Sequence, residues 1–238
     1  MTENSNMPRA PETRRVLMIV AYPGDETLWA GGSFLTNPSW HMTVVAMFQS
    51  NTPDLGKSFS KALERLNASG NIVGLPDTTS DEKAPQTDIL DAILRTVDVH
   101  APDLIITHNP SGECSRYCGR DVIGQLVAKM WELGRIKVPR LGFFAYDDNH
   151  GQRLPWAIDT ADWYICLSNV IWTQKKDILL NTYGFATDSF VVRACPKEEA
   201  FYWFNSPDAL RVWQKETAVE PIPSIGKEPP KKKRRVVA

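Results

Sequence analysis

Four cysteines in 238 residues are too few and too scattered for a disulfide scaffold. Cys114, Cys118, Cys166 and Cys195 therefore read as free thiols in a reducing compartment. Charge of one sign is lacking too. A formal net charge of -1 excludes a broad pull toward nucleic acid or an anionic membrane surface. The apolar run Val16–Ala21 is far shorter than the ~20 residues that span a bilayer, and nothing else comes close. The first residues hold no apolar segment of signal-peptide length. No internal repeat is present. These absences imply a soluble intracellular protein without a membrane or a specific nucleic-acid partner.

With 42% hydrophobic and 23% charged residues, the chain has the means to bury one substantial core. After a polar leader over 1–15, Val16–Ala21 is continuously apolar and enters a Pro23-Gly24 turn. A strand buried on both faces has this pattern. Gly31-Gly32 lets the next helix approach the sheet. Thr43–Phe48, Asp103–Thr107, Leu141–Ala145 and Trp163–Leu167 read as further strands. Ser58–Gly70, Asp88–His100, Asp121–Gly134 and Val170–Tyr183 carry helical periodicity, and Gly70 is placed to end the first of them. Glu198–Lys215 reads as two short closing helices. The strand–helix rhythm predicts a three-layer, Rossmann-like α/β domain over 16–217, mainly parallel, with helices on both faces. Ligands of such sheets sit beyond the carboxyl ends of the strands, where Tyr22–Glu26 and His108–Arg120 fall.

The tail from 218 to 238 is Pro-rich and then basic: Lys231, Lys232, Lys233, Arg234 and Arg235. Its composition predicts disorder. The run is either a solvated charged end or a monopartite import signal read by an import receptor. The protein is then nuclear in a cell with a nucleus, and cytoplasmic otherwise.

The segment Val16-Leu-Met-Ile-Val-Ala-Tyr-Pro-Gly-Asp-Glu-Thr-Leu-Trp-Ala-Gly-Gly32 resembles the opening motif of the LmbE/PIG-L zinc-dependent deacetylases, A-H-P-D-D-E-T-L-x-x-G-G. Thr107-His-Asn-Pro-Ser-Gly-Glu113 is similar to their second segment. The resemblance runs to about Lys215, through Tyr183-Gly-Phe185 and Trp203-Phe-Asn-Ser-Pro207. It implies a hydrolase fold, acting in relatives on N-acetylglucosamine-type amides. There, the His and second Asp of the first motif and the last His of a later i, i+3 pair hold zinc. The first Asp is the base, and the other His of the pair is the acid.

At nearly every catalytic position this sequence departs from that pattern. The first ligand is Tyr22, the base is Gly24, and only the second Asp survives, as Asp25. A gap-free alignment puts Tyr117 and Arg120 at the later histidine pair; sliding by one residue gives Arg116 and Gly119. Tyr, with a reference pKa of about 10, is a reluctant ligand, and Arg120 is a fixed cation where the metal would sit. The residues therefore favour a silent relative without a cofactor. It would bind a sugar-type molecule or a protein partner through Glu26, His108, Asn109, Glu113 and Arg116. The resemblance alone favours a working deacetylase. A scaffold that merely keeps the fold is the third reading.

Two arrangements of the altered pocket compete. In one, Asp25, His108 and a thiolate from Cys114 or Cys118 rebuild a zinc site. In the other, Arg120 pairs with Asp25 in place of the metal, His108 orients its loop, and the cysteines are apolar filler. The second is favoured. Trp29 and Trp156 are candidates for a sugar-stacking face, and Asp147–His150 for a substrate loop.

Overall fold

The computed structural model describes residues 14–48, 54–76, 84–114 and 119–217. Arg116, Tyr117, Cys118 and the basic run Lys231–Arg235 lie outside them, as do residues 1–13 of the leader. Strands β1 (Arg14–Val20), β2 (Trp40–Phe48), β3 (Ser69–Leu75), β4 (Leu104–Thr107) and β5 (Leu141–Phe144) alternate with helices α1 (Asp25–Thr36), α2 (Leu55–Arg65), α3 (Gln86–His100) and α4 (Arg120–Glu132). A short ribbon follows, β6 (Tyr146–Asp147) with β7 (Trp156–Ala157), and then β8 (Trp163–Cys166). Helix α5 (Asn169–Asp177) runs into a π-turn over Ile178–Thr182. The described chain closes with α6 (Phe190–Ala194), β9 (Glu198–Phe204) and α7 (Pro207–Thr217).

The main sheet has the order β3-β2-β1-β4-β5-β9-β8. Its first five strands are parallel, while β9 runs antiparallel to both β5 and β8. Strand β1 shows how one apolar run feeds two cores. Successive side chains point to opposite faces. Met18 and Val20 join Leu28, Trp29, Phe59 and Ile178 on one side. Leu17 and Ile19 join Ile93, Ile123, Val127 and Leu210 on the other. Helices thus cover both faces, the expected three-layer α/β arrangement. No described helix is long and apolar enough to cross a membrane.

Several expectations need correction. Arg14 and Arg15, assigned to the leader, open β1; Arg15 is held by Asp103 at 2.9 Å. Helix α2 stops at Arg65, and Gly70 does not end it. Gly70 lies in β3, where a Cβ would stand 2.0 Å from Val44 O, so backbone packing demands glycine there. Glu198–Phe204 is a strand between β5 and β8, not a helix. Its aromatic residues alternate across the sheet, and aromatic-rich segments suit strands. Gly31 and Gly32 do give a close approach, but to Lys175 and Leu167 and not to the sheet.

Candidate functional site

Strands β1 and β4 are neighbours, so their carboxyl ends deliver two loops side by side. Each loop turns on a glycine with the same left-handed geometry, Gly24 (φ 102°) before α1 and Gly119 (φ 104°) before α4. The first residue of α1 is Asp25 and the first of α4 is Arg120, and they meet. Arg120 donates to Asp25 Oδ1 from Nη2 at 2.6 Å and from Nε at 3.0 Å. A carboxylate suits a helix N-terminus, whereas a guanidinium opposes the helix dipole. Arg120 therefore owes its position to Asp25 and not to its own helix.

The other groups around Asp25 are buried and engaged. Asp25 Oδ2 accepts the Tyr22 N–H at 3.1 Å and lies 3.4 Å from His108 Nε2. The Tyr22 ring lies 5.6 Å from the guanidinium carbon of Arg120, within cation–π range. Burial penalises the Asp25 charge, but Arg120 and then His108 outweigh it and hold the pKa down at about 2. His108 Nε2 also accepts the Ala21 N–H at 2.9 Å, and Nδ1 meets Glu113 Oε2 at 3.0 Å. Burial disfavours the imidazolium, while Glu113 and Asp25 pull the pKa up, to about 9. The Ala21 amide needs a lone pair on Nε2, and it is the closer contact. Two neighbours thus share Nε2, the Ala21 N–H as a donor and the Asp25 carboxylate as an acceptor, while Nδ1 faces the Glu113 carboxylate.

Glu113 also accepts the Asn109 N–H at 2.7 Å, and Asn109 Nδ2 donates to Phe144 O at 3.2 Å. Glu26 Oε1 accepts from Thr27 at 2.6 Å and from the Tyr183 hydroxyl at 2.7 Å. Its Oε2 accepts the Gly24 N–H at 2.8 Å. Burial pushes the Glu26 pKa up. His108, Asn109 and Glu113 are thus brought together, while Glu26 is held in a separate set with Gly24, Thr27 and Tyr183.

Residues beyond the predicted set complete the site. Phe185 stacks on Tyr183 with ring centroids 5.3 Å apart, and a Cβ on Gly24 would come within 3.1 Å of its ring. The space over Gly24 is already filled. On the far side of α1, Lys175 and Glu199 are both 0% exposed and 2.7 Å apart. Glu199 also accepts from Gly32 N, Ser33 N and Ser33 Oγ. One signal in the sequence could have found Lys175: it interrupts the helical stripe formed with Ile171, Ile178 and Leu179. Trp29, a stacking candidate, is fully buried, whereas Trp156 is 62% exposed.

No protein-family model and no curated protein matches the chain. Solved structures do. N,N'-diacetylchitobiose deacetylase from Pyrococcus horikoshii aligns with a TM-score of 0.60 and 12% identity, over 81% of this chain and 84% of the other. A deacetylase of teicoplanin biosynthesis, solved with teicoplanin, gives 0.54 and 11%, over 73% and 88%. The chain has the LmbE/PIG-L deacetylase fold. GalB, the 4-carboxy-2-hydroxymuconate hydratase from Pseudomonas putida, aligns with a TM-score of 0.55 and 13% identity, over 76% and 82%. A deacetylase-type fold alone therefore does not dictate the reaction.

Zinc is the metal that the LmbE/PIG-L motif implies, and the residues at its position do not fit it. Three protein ligands and an open position are needed. Of the corresponding residues, Tyr22 is a phenol, Arg120 is a cation, and both Asp25 oxygens are engaged. The rebuilt set fares no better, since both ring nitrogens of His108 are hydrogen-bonded. Burial raises the Cys114 thiol to about 11, which disfavours the thiolate. Among the described residues, no group of three or more His, Cys, Asp or Glu side chains is placed to hold a metal ion.

Proposed function

We propose that this deacetylase-fold protein is catalytically silent and acts by recognition, binding an N-acetylglucosamine-type ligand or a protein partner at the old crevice. One observation carries the reading: the Arg120 guanidinium lies 2.6 Å from Asp25, where relatives by motif hold their metal. A fixed cation at that point repels a dication and cannot lower the pKa of a water. The base position agrees, because Gly24 offers no proton acceptor and Phe185 covers it. Removing a general base alone typically forfeits about two to four orders of magnitude in rate. Here base and metal site are lost together.

Beside the crevice, a cavity of about 310 Å³ remains, lined by Asn109, Cys114, Asp148, His150 and Trp213 among others. Its size suits one small polar ligand. The test combines acetate release and binding. Incubated with N,N'-diacetylchitobiose and excess zinc, the protein should release no acetate above buffer. Calorimetry should detect binding of the same disaccharide that His150→Ala weakens. Acetate release abolished by Asp25→Asn would overturn the reading.

The basic run at Lys231–Arg235 supports a second element of the proposal, delivery to the nucleus by an import receptor. A fluorescent fusion lacking those five residues should lose nuclear enrichment. An unchanged distribution would refute import through this run.

A further inference from the structure

We propose a second ligand site, a pyranose-binding groove on the outer flank of the β6–β7 ribbon, built on Trp156. Of the eight tryptophans, all within described residues, only Trp156 is exposed. It stands in the wall of a groove of about 800 Å³, ample for more than one sugar ring. The indole is fixed in place. Arg153 lies over it at 4.3 Å from the ring centroid, and Asp147 pins that guanidinium at 2.8 Å. Trp156 is itself paired with Asp147 in the ribbon. A guanidinium covering one face, together with 62% exposure, leaves ring surface open to solvent. Such an exposed, immobilised aromatic binds with little loss of side-chain entropy.

The surroundings select the ligand class. Tyr164, 42% exposed, adds a second aromatic to the same groove. Asp159, Glu198 and Arg193 line it as well, giving acceptors and a donor beside the apolar surfaces. A pyranose presents the matching pattern, a C–H face that packs on a ring and a rim of hydroxyls that pairs with carboxylates and guanidinium. A purely apolar ligand would leave those charges desolvated. Asp147 and Ile158 line both this groove and the crevice-side cavity, so the two spaces meet across the ribbon. The groove's own chemistry does not depend on the crevice being silent.

The test is calorimetric titration of the full chain with N,N',N''-triacetylchitotriose and, separately, maltotriose. At least one should bind. Trp156→Ala should weaken that binding by about tenfold, the loss of a stacked aromatic contact. Trp156→Phe should restore part of it, and His150→Ala should leave the groove's share intact. Exposure of Trp156 predicts an unchanged melting temperature for Trp156→Ala, which separates lost binding from lost fold. Failure of both sugars to bind would overturn the groove. So would binding that Trp156→Ala leaves intact; if His150→Ala then abolishes it, the crevice-side cavity alone is the sugar site.

Discussion

Two buried charge pairs flank helix α1, and the two differ in kind. At its N-terminus, Asp25 meets Arg120 where side-chain exposures are 3% and 7% and two loops converge. Further along, Glu199 meets Lys175 with both side chains at 0%, and the carboxylate is saturated by Gly32, Ser33 and Lys175. The second pair is a sealed clamp between α1, α5 and β9. The first sits in the crevice, where the loops after β1 and β4 meet. Burying ions is costly in either place, so neither pair is retained cheaply. The same interaction staples three elements of the fold in one place and joins two crevice loops in the other.

Breaking the sealed pair should cost most. Lys175→Met leaves Glu199 charged and buried, and urea denaturation should show a loss of about 3–5 kcal/mol. The crevice pair should cost less, because its side chains keep 3% and 7% exposure whereas the sealed pair has none. Arg120→Leu should lose about 2–3 kcal/mol, most of it recovered in the Arg120→Leu/Asp25→Leu double variant. A loss as large as that of Lys175→Met would mean the crevice pair is equally structural.

Acid sharpens the contrast. The folded Asp25 pKa, about 2, lies below the ordinary 3.8, so the carboxylate's stabilisation is complete above the unfolded value. It is lost as pH falls from near 4 through 2, roughly 2 kcal/mol in all. Denaturation curves across that window should flatten in Asp25→Asn. The smallest effect falls at Gly24. Gly24→Ala should cost about 1–2 kcal/mol from its left-handed backbone, plus a packing share that Phe185→Ala removes. Equal costs in both backgrounds would show that Phe185 does not guard Gly24.

Much of the parallel sheet was legible, because buried runs such as Val16–Val20 and Leu104–Thr107 are decided by burial that composition reveals. Glu198–Phe204 was not. Its place between β5 and β8 comes from partners far away in sequence. Strand β3 was hidden for the same reason: Gly70 looks like a helix stop until Val44 is seen packed against it. At the site, the motif names Tyr22, Gly24 and Asp25 and the gap-free register names Arg120, and the structure shows Arg120 paired with Asp25. The role of Phe185 over Gly24 was illegible, since nothing in either segment announces that a ring and a missing side chain share one space.

Metal stoichiometry decides between a guanidinium and a zinc ion beside Asp25. Protein purified without a histidine tag and dialysed against zinc should carry no stoichiometric metal, and Asp25→Ala should change nothing. One tightly held zinc per chain, removed by Asp25→Ala, would mean that Arg120 yields the position to a metal and would contradict a silent site.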